Sequence, residues 1–509
     1  MSTEGPEELD TTTSLCPTCL ERVPGRYEAR DGSVYLTREC PDHGVASRKV
    51  WGSVDHWAWA GELGPEFASE VGVDEGELTV DADHACLAVV EVTTDCNLSC
   101  SFCFAGSGPG GDHLPESEVV DLLETVKAAG GPRPIQFSGG EPTVRDDLPE
   151  LVGAARGMGF EHVQVNTNGL RLANEAGYAE RLADAGVTAI YLQFDDVDSH
   201  GDGDAHESIR GADLAAAKRE AVEACREADL SVVLVPTVVP GVNADRMGDI
   251  VEFGLDNVDV VESINFQPVA HFGRYGEHDG RFALDDAARA LAEQVDAVDT
   301  RDMLPIPCCS SYCQMATVLK PSEGDGDPLA LTGLLDDDTF GALSGLVDEA
   351  DWMELLANTK TAGERACSTA GCCGLDLPAG ADEILDRVLP VSFTGFMDAD
   401  AADVERLDNC CVSVPTPDGD LVPFCGYNMT TEDGEYALRT RNGWGGETAR
   451  TGVDADLPAA PDAGDDGDGA MTGDPASGVA DDDDAGGEGT AADGAVTDGG
   501  CGCDSCGAE

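Results

Sequence analysis

Between residues 86 and 266 the chain alternates short apolar runs with longer amphipathic ones, and this alternation restricts its fold more than any other feature. Strand-like runs stand at 86–93, 134–138, 162–166, 187–194, 231–237 and 260–266. Between them the apolar residues take helical spacing. Val119, Val120, Leu122, Leu123 and Val126 share one stripe, as do Leu214, Ala217, Ala221, Val222 and Cys225. Alternating strands and helices require a parallel sheet with right-handed crossovers. Six units fall short of the eight that close a TIM barrel, so the expected fold is α/β, a partial (β/α)6 TIM-like barrel with its site at the C-terminal strand ends.

The unusual residues fall at those ends. The first run leads into Cys96-Asn-Leu-Ser-Cys100-Ser-Phe-Cys103, the second into Gly139-Gly140-Glu141-Pro142, and the third into Asn166-Thr-Asn168-Gly169. The fourth ends in Gln193-Phe-Asp195, and the sixth continues to His271. Three cysteines in eight residues can converge on one iron-sulfur cluster, and since a cubane ordinarily takes four thiolates, one iron stays open. A zinc knuckle, or a ferredoxin site with a distant fourth ligand, has similar spacing. Alone, Gly139-Gly140 is an ordinary βα turn and Asn168-Gly169 only a turn.

In this combination and order the motifs resemble the radical SAM superfamily. The resemblance implies that Cys96, Cys100 and Cys103 hold a [4Fe-4S] cluster whose open iron chelates the methionyl end of S-adenosyl-L-methionine (SAM). It implies that Gly139, Gly140 and Glu141 meet the methionyl amino group, that Phe102 lies near adenine, and that Asn166, Asn168 and Gln193 contact ribose and carboxylate. One-electron reduction, from an external ferredoxin-type donor, then yields a 5′-deoxyadenosyl radical that abstracts hydrogen from substrate. No general base stands out.

Near the N-terminus, Cys16-Pro-Thr-Cys19 and Cys40-Pro-Asp-His43 flank a strand-like stretch at 33–37. Four such ligands suit a tetrahedral zinc or a rubredoxin-like mononuclear iron, and a closed four-ligand site acts first as a folding staple. After the barrel come Cys308, Cys309, Cys313, Cys367, Cys372, Cys373, Cys410, Cys411 and Cys425. Clustered cysteines in a cytosolic chain point to metal. One or two auxiliary [4Fe-4S] clusters are expected, with Cys308, Cys313, Cys367, Cys372, Cys410 and Cys425 as ligands and Cys309, Cys373 and Cys411 as the packed members of vicinal pairs. Cys86 and Cys225 stand on apolar faces and read as core. The expected divisions are a metal ribbon at 1–60, the barrel at 84–300, an auxiliary iron-sulfur domain at 301–430, and an acidic disordered tail at 445–509 that ends in Cys501, Cys503 and Cys506. That tail, spanning roughly 40 Å, suits either a weak metal site or a thiol carrier.

Several stretches resemble a narrower family, the archaeal tetraether lipid synthases and hydroxymethylpterin dimethyltransferases. They include the two N-terminal knuckles, Tyr191-Leu-Gln-Phe-Asp195, Leu234-Val-Pro-Thr237, Ile264-Asn-Phe-Gln-Pro268 and the run from Asp418 to Asn428. The family carries a further Cys-rich segment just before the first barrel strand, whereas Ser69 to His84 contains no cysteine here. The implied activity is carbon-carbon bond formation at unactivated carbon, as in tetraether lipid synthesis, with pterin methylation as the alternative. A lipid substrate would place the enzyme peripherally at a membrane. Peptide maturation and a non-catalytic iron-sulfur electron carrier or scaffold are the other readings.

With 100 acidic against 29 basic residues the formal net charge is −71. At about 1 M salt the Debye length is only about 3 Å, so the self-repulsion is screened, which suits a salt-in halophile. No basic stripe exists for nucleic acid. The N-terminus has no signal-peptide character and no run of about 18 apolar residues occurs, so a cytoplasmic location is expected.

Overall fold

The computed structural model describes residues 6–63, 86–199, 205–275, 281–306, 310–322, 326–334, 387–431, 433–436 and 438–439. The N-terminal unit is an antiparallel sheet of β1 (Glu7–Leu15), β2 (Arg22–Arg30), β3 (Ser33–Cys40) and β4 (Gly44–Trp51), paired in chain order. Asp31 and Gly32 both have positive φ, which is what a two-residue hairpin between right-twisted strands requires. Sequence periodicity points to only the β3 stretch, because β1 and β4 are largely exposed and carry no strict alternation.

Helix α1 (Val54–Leu63) joins this sheet to the barrel side, where Trp57 stacks on Tyr312 with ring centroids 5.2 Å apart. His56 is buried there and accepts from Trp51 Nε1 at 3.3 Å. Burial, aided by Arg301 and Arg289, pushes its imidazole down to about 4. The folded value lies below the unfolded one of about 6.5, so the unfolded chain binds the proton more readily between them. The stabilisation is present above pH 6.5 and is lost as pH falls toward 4. Denaturant titrations should show it as up to about 1.4 kcal/mol per pH unit in that window, flattened in His56→Gln.

The barrel sheet contains the six expected strands: β5 (Leu87–Thr93), β6 (Ile135–Gly139), β7 (Val163–Thr167), β8 (Ala189–Gln193), β9 (Ser231–Val235), then, after the two-residue β10 (Thr237–Val238), β11 (Val261–Pro268). Helices α2 (Glu116–Ala128), α3 (Leu148–Gly157), α4 (Leu170–Asn174), α5 (Tyr178–Ala185), α6 (Ala205–Arg210), α7 (Ala215–Glu227) and α8 (Met247–Asp256) run between them. The helical stripes read in the sequence are core: Val119, Leu122, Leu123 and Val126 of α2 are buried, as are Ala221, Val222 and Cys225 of α7.

Beyond α9 (Leu284–Ala292), four more strands follow: β12 (Leu304–Pro305), β13 (Gln314–Lys320), β14 (Leu329–Ala330) and β15 (Leu389–Thr394). Then come β16 (Val412–Pro415) and β17 (Leu421–Pro423). The sheet order is β12-β13-β15-β11-β9-β8-β7-β6-β5-β16-β17. β15 pairs parallel to β11 and β16 parallel to β5, so the cysteine-rich second half extends the parallel sheet at both edges. The sheet remains open, a partial barrel as expected. Strand β16 brings Cys411 to β5, where its carbonyl accepts from the Cys86 N–H at 2.7 Å.

Candidate functional site

The loop after β5 is held by backbone bonds from three other strand or helix ends. Gly140 N–H donates to Thr93 O at 2.7 Å and Glu141 N–H to Asp95 O at 2.8 Å. Ser101 N–H donates to Ile209 O of α6 at 2.9 Å. Cys103 and Arg274 exchange backbone bonds of 2.8 and 3.0 Å, while Arg274 Nε donates to Cys100 O at 2.7 Å and Nη2 to Ser107 O at 2.8 Å. Nothing in the sequence spacing marked Arg274, because its partners lie some 170 residues away.

Cys100 is buried and Cys96 and Cys103 half-buried, around Leu98 and Leu214. Burial pushes the Cys96 thiol up to about 12, with Glu141, Cys100 and Cys103 adding to the shift. Burial raises Cys100 as well, with Arg210 opposing. Thiols brought together in a buried loop, with Cys96 and Cys100 raised, are a donor set that cationic iron relieves, so these residues fit a [4Fe-4S] cluster.

The glycines at the β6 end are fixed by contact with this loop. Gly139 has φ +125°, and a Cβ there would meet Thr93 O at 2.2 Å. A Cβ on Gly140 would meet Asp95 O at 2.2 Å. Only glycine allows such backbone approach.

Glu141 is placed differently from the sequence expectation that its carboxylate faces the SAM ammonium. Oε1 accepts from Thr143 N at 3.0 Å, Thr143 Oγ1 at 2.5 Å and Thr167 Oγ1 at 2.7 Å, and Oε2 accepts from Asn168 N at 2.7 Å. Three protein donors crowd Oε1 and one meets Oε2, so the carboxylate is held mainly by the protein itself. Glu141 therefore ties the ends of β6 and β7 together. Asn168 also turns to the loop: Nδ2 donates to Asn97 Oδ1 at 2.7 Å and Oδ1 accepts from Leu170 N at 3.1 Å. It braces the cysteine loop and does not line the cavity.

That cavity, of about 180 Å³, lies inside the barrel and is lined by Phe102, Cys103, Asn166 and Gln193 among the residues the sequence singled out. Gln136, Ser138, Asn265, Gln267, Gln314 and Thr394 add carboxamides and hydroxyls. Leu87, Val89, Phe104, Phe272, Phe396 and Phe424 form its apolar side. Arg210, which the sequence reading missed, reaches the same cavity from α6. Its guanidinium donates to both Asp195 oxygens at 2.7 and 2.8 Å and to Thr237 Oγ1 at 2.8 Å. With its carbonyl turned inward, Gln193 accepts from Arg210 at 2.9 and 3.2 Å. Both partners of the buried pair hold their charge firmly, Arg210 raised and Asp195 lowered despite burial.

In the N-terminal sheet the ligand atoms of Cys16, Cys19, Cys40 and His43 all lie within 4.8 Å of one another. His43 Nδ1 sits 3.4 Å from Cys40 Sγ and 3.6 Å from Cys16 Sγ. Three thiols and one imidazole suit a closed tetrahedral site. Cys40→Ser should remove one metal atom per chain, read by elemental analysis, and lower the thermal midpoint of the ribbon, since closed sites contribute folding energy directly.

Of the later cysteines, Cys308, Cys309, Cys367, Cys372 and Cys373 lie outside the described residues, as do Cys501, Cys503 and Cys506. Cys313 accepts from Arg406 Nη2 at 3.2 Å, and Cys410 Sγ donates to Val412 O at 3.3 Å. Cys86, read from the sequence as core, packs with Cys411 and Cys313 in one small cluster. The reason is β16, whose parallel pairing with β5 sets Cys411 against Cys86. Cys425 packs instead among Leu15, Phe272, Met397 and Met429.

Comparison with known proteins agrees with this geometry. Residues 90–254 match the family described as Radical SAM superfamily, and residues 8–52 match the HMPTM N-terminal zinc ribbon domain. Over 477 residues the chain is 32% identical to the 7,8-dihydro-6-hydroxymethylpterin dimethyltransferase of Methanocaldococcus jannaschii, covering 82% of this chain and 93% of that one. It is 27% identical over 181 residues to a probable GTP 3′,8-cyclase of Sulfolobus acidocaldarius, covering 35% of this chain and 56% of that protein. Streptococcus suis SuiB bound to S-adenosylmethionine superposes with a TM-score of 0.34 at 17% identity, over 41% of this chain and 46% of that chain. The fold and the cysteine loop are those of a radical SAM enzyme, with a [4Fe-4S] cluster and SAM as cofactors. Within that superfamily the chain belongs to the family of the 7,8-dihydro-6-hydroxymethylpterin dimethyltransferase.

Proposed function

We propose that this enzyme forms a carbon-carbon bond at an unactivated carbon of a dihydropterin, in the manner of a methyltransferase. The observation that carries the reading is the cavity wall, where carboxamides and hydroxyls at the strand ends are joined by aromatic rings. A pterin is flat and carries donors and acceptors along one edge. Carboxamides serve both roles, and rings pack on its face. Similarity to the dimethyltransferase over most of the chain supports the same substrate class.

In this reading Cys96, Cys100 and Cys103 hold the cluster, and the Gly139-Gly140 backbone, Phe102, Asn166 and Gln193 seat the cofactor. When bound, the cluster and SAM supply a 5′-deoxyadenosyl radical able to remove hydrogen from unactivated carbon. The protein's task is to orient the substrate and exclude water. An external low-potential donor of the ferredoxin class provides the electron. An auxiliary iron-sulfur cluster is assigned to the seam where Cys86, Cys313 and Cys411 pack, beside Cys410. Among the described residues no helix is long and apolar enough to cross a membrane. A salt-rich cytoplasm is proposed from the net charge of −71.

A second reading rests on the apolar residues of the same lining. Leu87, Val89 and four phenylalanines offer an alkyl-binding surface, as joining of lipid chains would need. The two readings separate in one assay. Reduced, reconstituted enzyme should release 5′-deoxyadenosine faster on addition of 7,8-dihydro-6-hydroxymethylpterin and not on addition of an isoprenoid diether lipid. The reverse response overturns the pterin proposal.

A further inference from the structure

Helix α7 buries a cation that stands outside the cavity lining. Lys218 has no solvent exposure, and its ammonium donates to the carbonyl of Asn168 at 2.6 Å. Burial pushes that ammonium down to about 8, with Asp195 and Glu141 opposing from longer range. Among the described residues no carboxylate lies within ion-pair distance of it. In a chain with 100 acidic residues a paired carboxylate would be easy to supply. An ammonium taken out of water with no anion in direct contact is costly, so further negative charge near it is stabilising.

What lies beside it is the cysteine loop. Lys218 N–H bonds to Leu214 O, one turn back on the same helix face, and Leu214 packs with Leu98 and Cys100. The carbonyl that Lys218 holds belongs to Asn168, whose amide donates to Asn97, next to Cys96. Arg210 also stands near Cys100, but Asp195 neutralises it through two bonds. Lys218 is thus a buried cation at this mouth that bonds a carbonyl, with the carboxylates of Asp195 and Glu141 acting on it only from longer range.

We infer that Lys218 is a positioning residue whose ammonium is the fixed counter-charge of the iron-sulfur assembly held by Cys96, Cys100 and Cys103, and that it raises the potential at which that assembly accepts an electron. Three thiolates around a cubane core of charge 2+ would leave one net negative charge. One electron from a low-potential ferredoxin-class carrier would make it two, with no bond made or broken. A buried cation favours the more negative state, and does so more strongly than it would through water. The inference rests on the cluster assignment and is independent of the proposed substrate.

The test is a redox titration of the reconstituted full chain at pH 7, with dithionite as reductant and the reduced-cluster EPR signal as readout. Lys218→Met keeps length without charge, and Lys218→Gln keeps a donor for the Asn168 carbonyl. In both variants the ratio of reduced to oxidised cluster at fixed potential should fall about tenfold, a shift of 59 mV for one electron, with iron and sulfide content unchanged. A wild-type midpoint in either variant at full iron content overturns the proposal and leaves Lys218 a staple between helix and loop. Should the Met variant fail to assemble its cluster, the Gln variant decides. A wild-type chain with no reducible cluster overturns the cluster assignment itself, a separate failure.

Discussion

Cys100→Ser should lower the iron content of the anaerobically reconstituted chain by about four atoms and bring 5′-deoxyadenosine release to background. Cys100 is the most buried of the three thiols, and its carbonyl is held by Arg274, so the loop cannot swing another donor into its place. Serine nearly preserves size but offers a hard oxygen where iron-sulfur chemistry selects soft thiolate. The ribbon metal at Cys16, Cys19, Cys40 and His43 should be unaffected, which makes the iron difference readable. Cys225→Ser is the control. That thiol is buried in the core cluster, where burial alone pushes it up to about 12, and the change should cost stability without loss of iron.

Gly140→Ala should destabilise the barrel by about 3–5 kcal/mol or prevent soluble expression. The added methyl would stand 2.2 Å from Asp95 O, 2.8 Å from Asp95 C and 3.0 Å from Thr94 C. All three are backbone atoms, so no side chain can move aside. Relief requires displacing the segment that positions Cys96 and breaking the bonds to Thr93 and Asp95. Gly153→Ala in α3 is the matched comparison, because a Cβ there meets nothing within 4 Å. It should be neutral, or stabilising by about 0.4–1 kcal/mol, as expected for Gly→Ala at a compatible site. Denaturant midpoints measured side by side separate the two substitutions.

The barrel strands were legible because strands buried on both faces are written as continuous apolar runs, and β5 is buried at every position. The cysteine loop was legible because its three cysteines are local in sequence. Strands β15 and β16 were not, since neither belongs to the strand-helix alternation and each takes meaning only from the sheet edge it joins. Cys86 packs in the core as read, but its neighbour Cys411 could not be named from the sequence, because it arrives on β16 more than 300 residues later. Glu141 and Asn168 were located at the right strand ends, yet their partners Thr143, Thr167 and Asn97 are visible only in three dimensions. Arg210, Lys218 and Arg274 belong to that group too. A lone basic residue in a sequence carries no sign of which loop it will hold.

The central claim is that the mouth formed by Cys96, Cys100 and Cys103 acts on a flat polar heterocycle in the carboxamide-lined cavity. The most direct measurement is mass spectrometry of 7,8-dihydro-6-hydroxymethylpterin after incubation with the reduced holoenzyme, SAM and a supplied one-carbon donor. The account predicts pterin heavier by one or two methyl groups, and loss of that product in Asn166→Leu with cluster content intact. Pterin recovered unchanged while 5′-deoxyadenosine accumulates with a lipid substrate would contradict it.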